Sequence, residues 1–381
     1  MLITMVEKKA SDLHFRTGKP PIMRINGELV TSNFPAIPAS GMDKIARYFA
    51  VTEEKYNKFI SDREMDIAFE EPDVARFRIN VFFEKGNIGA VIRHVPISIP
   101  SFKTLHLPPV LKELASYERG LVLVTGTTGS GKSTTLAAMV DYINHHFKKH
   151  IVTIEDPIEF IHNDSLSSIT QREIGIDTKN FHNALKYVLR QDPDVILVGE
   201  MRDEETVGAA ISAAETGHLV FGTLHTLNAL QTINRIIDFF PPAHQEQIRV
   251  QLAFTLRGVI SQRLLSRIDM ESRIPALEVM VVNENIKELI QDPHRVGEIQ
   301  DAMKEGGQYG MQTFDQHLIR LVNEGKISQE AAKQNANSAS DLDLALKGFS
   351  IQGGASGEVA TDVAETKEEE VKKIDKDFTD F

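Results

Sequence analysis

Eight consecutive residues match the phosphate-binding loop pattern G-x-x-x-x-G-K-[ST]. Its glycines allow backbone N–H groups to turn toward an anionic phosphate, and the N-terminus of the helix that follows adds a positive dipole. We expect Lys132 to reach the β- and γ-phosphates of ATP, and the Ser133 hydroxyl to ligate Mg²⁺. The predicted nucleotide-binding residues are Gly126, Thr127, Thr128, Gly129, Ser130, Gly131, Lys132, Ser133 and the adjoining Thr134.

Three carboxylates follow the apolar segment 151–154, which is predicted to be a buried strand. In an α/β sheet, residues beyond the carboxyl ends of strands face the ligand crevice. Glu159 is therefore a candidate base for the attacking water, and Glu155 or Asp156 is a candidate metal ligand. The sequence leaves open the alternative that these acids only stabilise a helix N-terminus.

A second apolar segment, 195–198, leads into Gly199 and Glu200. A buried strand that ends in a carboxylate is the Walker B arrangement, in which the acid lies across from the phosphate loop and holds Mg²⁺. We therefore predict that Glu200 acts on the metal or on water.

Two histidines bracket a third apolar segment, 219–223. His225 follows the carboxyl end of this predicted strand, where it can sense a γ-phosphate. His218 precedes the strand, and its position favours a structural role.

Arginines alternate along one predicted strand of the N-terminal region, at Arg76 and Arg78, and Arg93 lies on the next strand. The simplest interpretation is a solvated face. The alternative is that, in a ring of subunits, such arginines contact a neighbour's nucleotide and stabilise the charge of its transition state.

The order of predicted elements divides the chain into four parts. Residues 1–95 are predicted to form a small α+β domain, with a hairpin at 20–30 and one or two helices at 42–60. Residues 96–101 contain a proline-rich linker, and residues 348–381 are predicted to form a disordered, charged tail, with a docking peptide as the alternative. Residues 102–347 alternate strands with helices, the pattern of an α/β domain with a parallel sheet and a C-terminal helical cap. Its predicted helices are 134–144, 180–189, 204–215, 229–237, 245–260, 311–323 and 329–335.

Composition narrows the class of protein. The chain has 381 residues, a formal net charge of −12 and no cysteine. The absence of cysteine excludes disulfides and cysteine-ligated zinc and suits a cytoplasmic location. The negative charge disfavours nucleic acid as a partner, so we expect a motor or remodelling ATPase instead. No apolar run approaches the roughly 18–20 residues that span a bilayer.

Four motifs in order resemble those of the secretion-ATPase superfamily, and specifically the type IV pilus retraction ATPases of the PilT/PilU type. They are the Walker A segment 125–136, the Asp box 151–160, the Walker B segment 192–203 and the His box 217–225. The resemblance covers nearly all of residues 8–347, including Ala-Ser-Asp-Leu-His at 10–14.

This resemblance implies a homohexameric ring of subunits, each with an N-terminal PAS-like domain joined to a RecA-like ATPase domain. ATP would bind between the two domains, and its hydrolysis would drive pilus retraction. The motor would lie at the cytoplasmic face of the inner membrane, against a platform protein and possibly beside a paralogous retraction ATPase.

The resemblance also implies roles for single residues. Glu159 corresponds to the family's catalytic base, and Glu200 to the acid that supports magnesium. It implicates both His218 and His225, and it places Arg78 and Arg93 near the nucleotide.

One segment departs from the family's pattern. Residues 285–292 read Asn-Ile-Lys-Glu-Leu-Ile-Gln-Asp, where PilT proteins carry the retraction motif Ala-Ile-Arg-Asn-Leu-Ile-Arg-Glu. The loss of both arginines, together with the charged tail, favours the accessory PilU branch of the family, with a divergent PilT as the alternative. It also favours an alternative function, an ATP-binding adaptor that works through a partner motor.

Overall fold

The computed structural model describes residues 1–25, 27–71, 74–95 and 99–347, and within them the chain forms two β-sheets. Each sheet has hydrophobic core residues of its own. The predicted tail, 348–381, and residues 96–98 of the predicted linker lie outside the described residues.

The first sheet is antiparallel and has six strands in the order β3-β2-β1-β6-β5-β4. Apolar side chains alternate along its strands, and they pack with two amphipathic helices around Leu13, Met42 and Phe77. The elements are α1 (Leu2–Glu7), β1 (Asp12–Arg16), β2 (Ile22–Ile25), β3 (Glu28–Thr31), α2 (Ala39–Ala50), α3 (Glu53–Asp62), β4 (Glu64–Glu71), β5 (Ala75–Glu84) and β6 (Asn87–Val95).

The second sheet has seven strands and is surrounded by helices. Its central strands are buried on both faces, which explains their continuous apolar sequence. Its strands are β7 (Gly120–Thr125), β8 (His150–Glu155), β9 (Ser168–Glu173), β10 (Val195–Val198), β11 (Leu219–Leu224), β12 (Leu256–Ser266) and β13 (Arg273–Val281).

Helices cover both faces of this sheet and continue as a small C-terminal group. Many begin at a capping side chain, as Asp203 does by accepting a hydrogen bond from the Thr206 N–H. They are α4 (Val110–Ala115), α5 (Lys132–His146), α6 (Phe181–Val188), α7 (Glu204–Glu215), α8 (Ala229–Asp238), α9 (Pro242–Thr255), α10 (Glu284–Gln291), α11 (Ile299–Glu305), α12 (Phe314–Asn323), α13 (Gln329–Asn335) and α14 (Ala339–Leu346).

The strand order of the second sheet is β13-β12-β7-β11-β10-β8-β9. All its pairings are parallel except that of β12 with β13. The carboxyl ends of β7, β11, β10 and β8 therefore meet at one edge, as the motif positions require. The predicted α/β class, with an N-terminal α+β domain and a parallel sheet in the second domain, is confirmed.

One predicted helix is wrong in its second half. The sequence predicts a helix over 245–260, but α9 ends at Thr255 and residues 256–266 form β12. The apolar spacing continues across this boundary, so it gives no local stop signal. Pairing with β7 on one side and β13 on the other makes the segment extended.

Strand β12 also contacts the C-terminal helices. The Arg263 guanidinium lies 3.8 Å from the centroid of the Phe314 ring of α12, and it donates to Asn337 Oδ1 at 2.9 Å. Among the described residues, no helix combines the length and apolar character needed to cross a bilayer.

Candidate nucleotide-hydrolysis site

A cavity of about 390 Å³ opens between the phosphate loop and the carboxyl ends of the neighbouring strands. The loop forms one wall, and the segment after β8 forms the opposite wall. The predicted residues among its lining are Thr128, Gly129, Gly131, Lys132, Ser133, Thr134, Glu155, Asp156, Glu159, Glu200 and His225.

The phosphate loop is packed tightly against β12. Gly126 and Gly131 have φ angles of 141° and 91°, in the region that favours glycine. A Cβ on Gly126 would lie 2.4 Å from the Gln262 carbonyl oxygen, and one on Gly131 would lie 2.7 Å from Gln262 Nε2. Both positions therefore require glycine for conformation and for space.

Gln262 itself fastens the loop to the start of α5. Its Nε2 donates to the Ser130 carbonyl at 2.7 Å, and its Oε1 accepts from Thr135 Oγ1 at 2.8 Å. The side chain is buried. Gln262 was not among the predicted site residues, because it belongs to no motif and follows a segment, 245–260, that was predicted to be helical.

Lys132 extends its ammonium over the loop. Its Nζ donates to the carbonyls of Gly126 and Thr127, at 2.8 and 3.1 Å. Burial lowers the pKa of Lys132, and the nearby Glu200 carboxylate opposes that shift. An ammonium held at this point is well placed to bind phosphate oxygens.

Glu200 lies across the cavity from Lys132 and bridges two basic side chains. Its Oε2 accepts from Arg202 Nη2 at 2.6 Å, and its Oε1 lies 3.0 Å from His225 Nε2. Burial tends to raise the pKa of Glu200, but the hydrogen bonds and charges of Arg202 and His225 outweigh burial and lower it. Glu200 is therefore held as a carboxylate.

The segment after β8 is held by the Glu155 side chain. Glu155 accepts from Thr153 Oγ1 at 2.6 Å, from Gln171 Nε2 at 3.2 Å and from the Glu159 N–H at 3.4 Å. Burial raises the pKa of Glu155. These contacts use both carboxylate oxygens to fix the local chain, and a metal-ligand role for Glu155 stays a prediction.

Three predicted site residues lie elsewhere in the part of the chain that the structure describes. His218 is at the opposite end of β11, where its ring nitrogen Nδ1 lies 2.9 Å from the Ala213 carbonyl oxygen. Arg78 and Arg93 are directly opposite each other on β5 and β6, and Arg93 donates to Asp12 at 2.9 Å. The cavity wall includes none of the three.

Other wall residues carried no motif signal in the sequence. His162 lines the cavity, burial lowers its pKa to about 4, and its Nδ1 has no hydrogen-bond partner among the described residues. Arg273, at the start of β13, lines the end of the cavity near Leu264. For His162, the one sequence signal was its position three residues after Glu159.

The oxygen donors at the cavity fit Mg²⁺. Mg²⁺ is usually bound by one or two carboxylates or hydroxyls together with substrate phosphates and waters. Ser133 and Glu200 both line the cavity and are donors of this kind. In the described residues no group of three or more His, Asp or Glu side chains could hold a metal alone.

A parallel sheet with a phosphate loop that faces a Walker B carboxylate defines a P-loop nucleoside triphosphatase. The family model for type II/IV secretion system proteins matches residues 102–343. The chain belongs to this family, and it is an ATPase of the group that includes PilT and PilU.

Individual relatives agree with this membership. The chain is 44% identical over 336 residues to the type IV pilus retraction ATPase PilT of Pseudomonas aeruginosa, which covers 88% of this chain and 97% of that protein. It is 40% identical over 348 residues to the type IV pilus ATPase PilU of the same species, with 91% and 90% covered. The crystal structure of the pilus retraction motor PilT with bound ADP superposes with a TM-score of 0.83 at 44% identity, covering 89% of this chain and 97% of that one.

Proposed function

We propose that this protein is a homohexameric motor that hydrolyses ATP to power type IV pilus retraction. The observation that carries the proposal is the convergence of Lys132, Glu159, Glu200 and His225 on one cavity. The similarity to PilT over nearly the whole length of both chains supports the coupling of that chemistry to retraction.

Each residue of the cavity has a distinct task in this proposal. The loop amides and Lys132 bind the β- and γ-phosphates, and Glu159 orients and deprotonates the attacking water. Ser133 and Glu200 would hold Mg²⁺, which when bound neutralises charge that develops on the phosphate oxygens. His225 holds Glu200 and senses the γ-phosphate side of the cavity.

The assembly and location follow from the same proposal. The ring would act at the cytoplasmic face of the inner membrane against a platform protein, beside a paralogous retraction ATPase, and without nucleic acid. The acidic balance of the chain, −12, supports a protein partner over nucleic acid.

A second candidate function is an accessory ATPase that works through a partner motor. Helix α10 supports it, because Lys287 and Gln291 stand where the retraction motif has arginines. Lys287 is engaged within its own helix, where it donates to Glu284 at 2.7 Å. The identities to PilT and PilU are similar, so the expected placement in the PilU branch stays a prediction.

The direct test is the substitution Lys132→Ala. Loss of the ammonium removes phosphate binding in the transition state, so we expect at least about a hundredfold lower kcat for ATP. A deletion strain that carries this variant should fail to retract pili, whereas the wild-type gene should restore twitching. Full complementation by Lys132→Ala would contradict the motor proposal and favour the accessory function.

A further inference from the structure

An ion pair joins the two domains beside the nucleotide cavity. Arg76 Nη2 on β5 donates to Glu173 Oε2 at the end of β9, at 3.1 Å. The side chains of Arg76 and Glu173 are only 22% and 9% exposed. Among the described residues, no other ion pair connects the N-terminal sheet with the ATPase domain. A pair this shielded from water is screened far less than a surface pair.

The same oxygen of Glu173 also holds the chain that carries Glu159. Glu173 Oε2 accepts from the Ile158 N–H at 3.3 Å, and Ile158 is buried. The next amide, that of Glu159, donates to Glu155 Oε2. Glu155 and Glu173 are opposite each other in the last residue pair of β8 and β9. Two neighbouring carboxylates thus hold two consecutive amides.

Glu173 has a fixed backbone within the ATPase domain. Its N–H donates to Asp177 Oδ2 at 2.8 Å, and its carbonyl accepts from the amides of Asp177 and Thr178 at 2.9 and 3.3 Å. The contact of the Glu173 side chain with Arg76 is therefore the one that depends on the position of the other domain.

The ion pair borders an open cleft. The cleft, of about 410 Å³, lies between the β4–β5 hairpin and the segment after Phe160, and Glu70, Val74, Ile161 and Asn163 line it. Within the described residues, the Arg76–Glu173 pair is the ion pair that links the two domains beside this cleft.

We propose that Arg76 is a positioning residue, which acts through Glu173 on the Ile158–Glu159 backbone and so makes the alignment of Glu159 depend on contact with the N-terminal domain. With Arg76 in place, the Ile158 amide bonds to a charge-compensated carboxylate. Without it, Glu173 is a buried charge that lacks its partner, and the chain at Ile158 shifts as Glu173 seeks other donors or water. The inference rests on the proposed role of Glu159 as the base.

The first test compares purified full-length variants in ATP hydrolysis and nucleotide binding. For Arg76→Ala we expect kcat to fall about ten- to a hundredfold, the cost of a misplaced catalytic group, while the Kd for ATP changes less than about twofold. Arg76→Lys keeps the charge and should restore most of the rate. Arg16→Ala is the matched control, because Arg16 pairs with Glu84 within the N-terminal domain at 2.6 Å.

The second test asks whether Arg76 acts through the proposed path. Glu173→Gln keeps an acceptor for the Ile158 amide but removes the charge, so it should lower kcat as Arg76→Ala does, and the double variant should be no slower than either. In a Glu159→Gln background, which should bind ATP and turn it over poorly, Arg76→Ala should cost nothing further.

Three results would overturn the inference. They are an unchanged kcat for Arg76→Ala, a weaker Kd at unchanged kcat, or losses that multiply in the double variants. A wild-type protein that does not hydrolyse ATP would instead refute the proposed function. Normal turnover by Glu159→Gln would refute the assignment of the base, and this inference with it, but not the proposed ATP hydrolysis.

Discussion

The charge state of Glu200 depends on two basic neighbours, Arg202 and His225. Arg202 and His225 lower its pKa against the effect of burial, and Arg202 Nη2 makes the shorter contact, at 2.6 Å. A carboxylate with a lowered pKa loses its charge only at a more acidic pH. Hydrolysis that requires the Glu200 carboxylate should therefore persist into mildly acidic solution.

We expect Arg202→Ala to move the acidic limb of the kcat–pH profile toward neutral pH. Removal of the guanidinium takes away the main cause of the lowered pKa, so Glu200 protonates at a higher pH. The measurement is steady-state ATP hydrolysis across the acidic range. Arg295→Ala, which removes an exposed pair with Glu298, is the control that should leave the profile in place. An acidic limb that stays in place or moves to lower pH would show that protonation of Glu200 does not cause the loss of activity at acidic pH.

At the scale of elements, the phosphate loop depends on a strand remote in sequence. Gln262 of β12 bonds to both the loop and α5, and the glycines of the loop leave just enough space for it. The loop is thus held in shape by β12 as well as by its own glycines.

The substitution Gln262→Leu should weaken ATP binding about tenfold, since it removes two buried hydrogen bonds that hold the loop. A titration with a fluorescent ATP analogue measures this change. Gln251→Leu provides the control, because Gln251 lies on α9, away from the loop, and its side chain donates to the exposed Glu215 at 3.3 Å. Equal affinities for Gln262→Leu and the wild type would mean that the loop keeps its shape unaided.

The contrast between these elements shows what the sequence can predict. Strands β7, β8, β10 and β11 contain apolar runs that lead directly into motif residues, so local pattern alone places them. The predicted convergence of Glu159, Glu200 and His225 on the loop followed from their positions after strands in a parallel sheet.

The contacts made by Gln262 and Glu173 could not be predicted in this way. Gln262 is 132 residues from Ser130, and Glu173 is 97 residues from Arg76. Their strands were not predicted. The apolar spacing of α9 continues into β12, and β9 is a mostly polar segment that belongs to none of the four motifs. Only the long-range pairing of strands brings such side chains together.

At the scale of the whole molecule, Arg78 and Arg93 could contact the nucleotide of their own subunit or that of a neighbouring subunit. Arg78 and Arg93 lie away from the cavity wall of their own chain in the described residues. In a closed ring with head-to-tail interfaces, a residue on one face of a subunit meets the opposite face of its neighbour. The geometry is compatible with arginines that act on the neighbouring subunit.

Mixed rings test this arrangement. Lys132→Ala and Arg78→Ala proteins should each be nearly inactive alone. In rings assembled from equal amounts, about a quarter of the sites would combine an intact Lys132 with an intact Arg78 from the next subunit, so activity should reappear. The control is each single variant, dissociated and reassembled by itself in the same way. A mixed ring without activity would place Arg78 in the site of its own chain.

Strand β12 has a consequence beyond the shape of the loop. Successive residues of a strand point to opposite faces, so Gln262 contacts the phosphate loop while Arg263 contacts Phe314 and Asn337. Adjacent residues of β12 thus contact the phosphate loop and the C-terminal helical group. A force applied to those helices would act on Arg263, and the release of a phosphate would act on Gln262 through the loop. Mechanical force and ATP hydrolysis would therefore affect adjacent residues of the same strand.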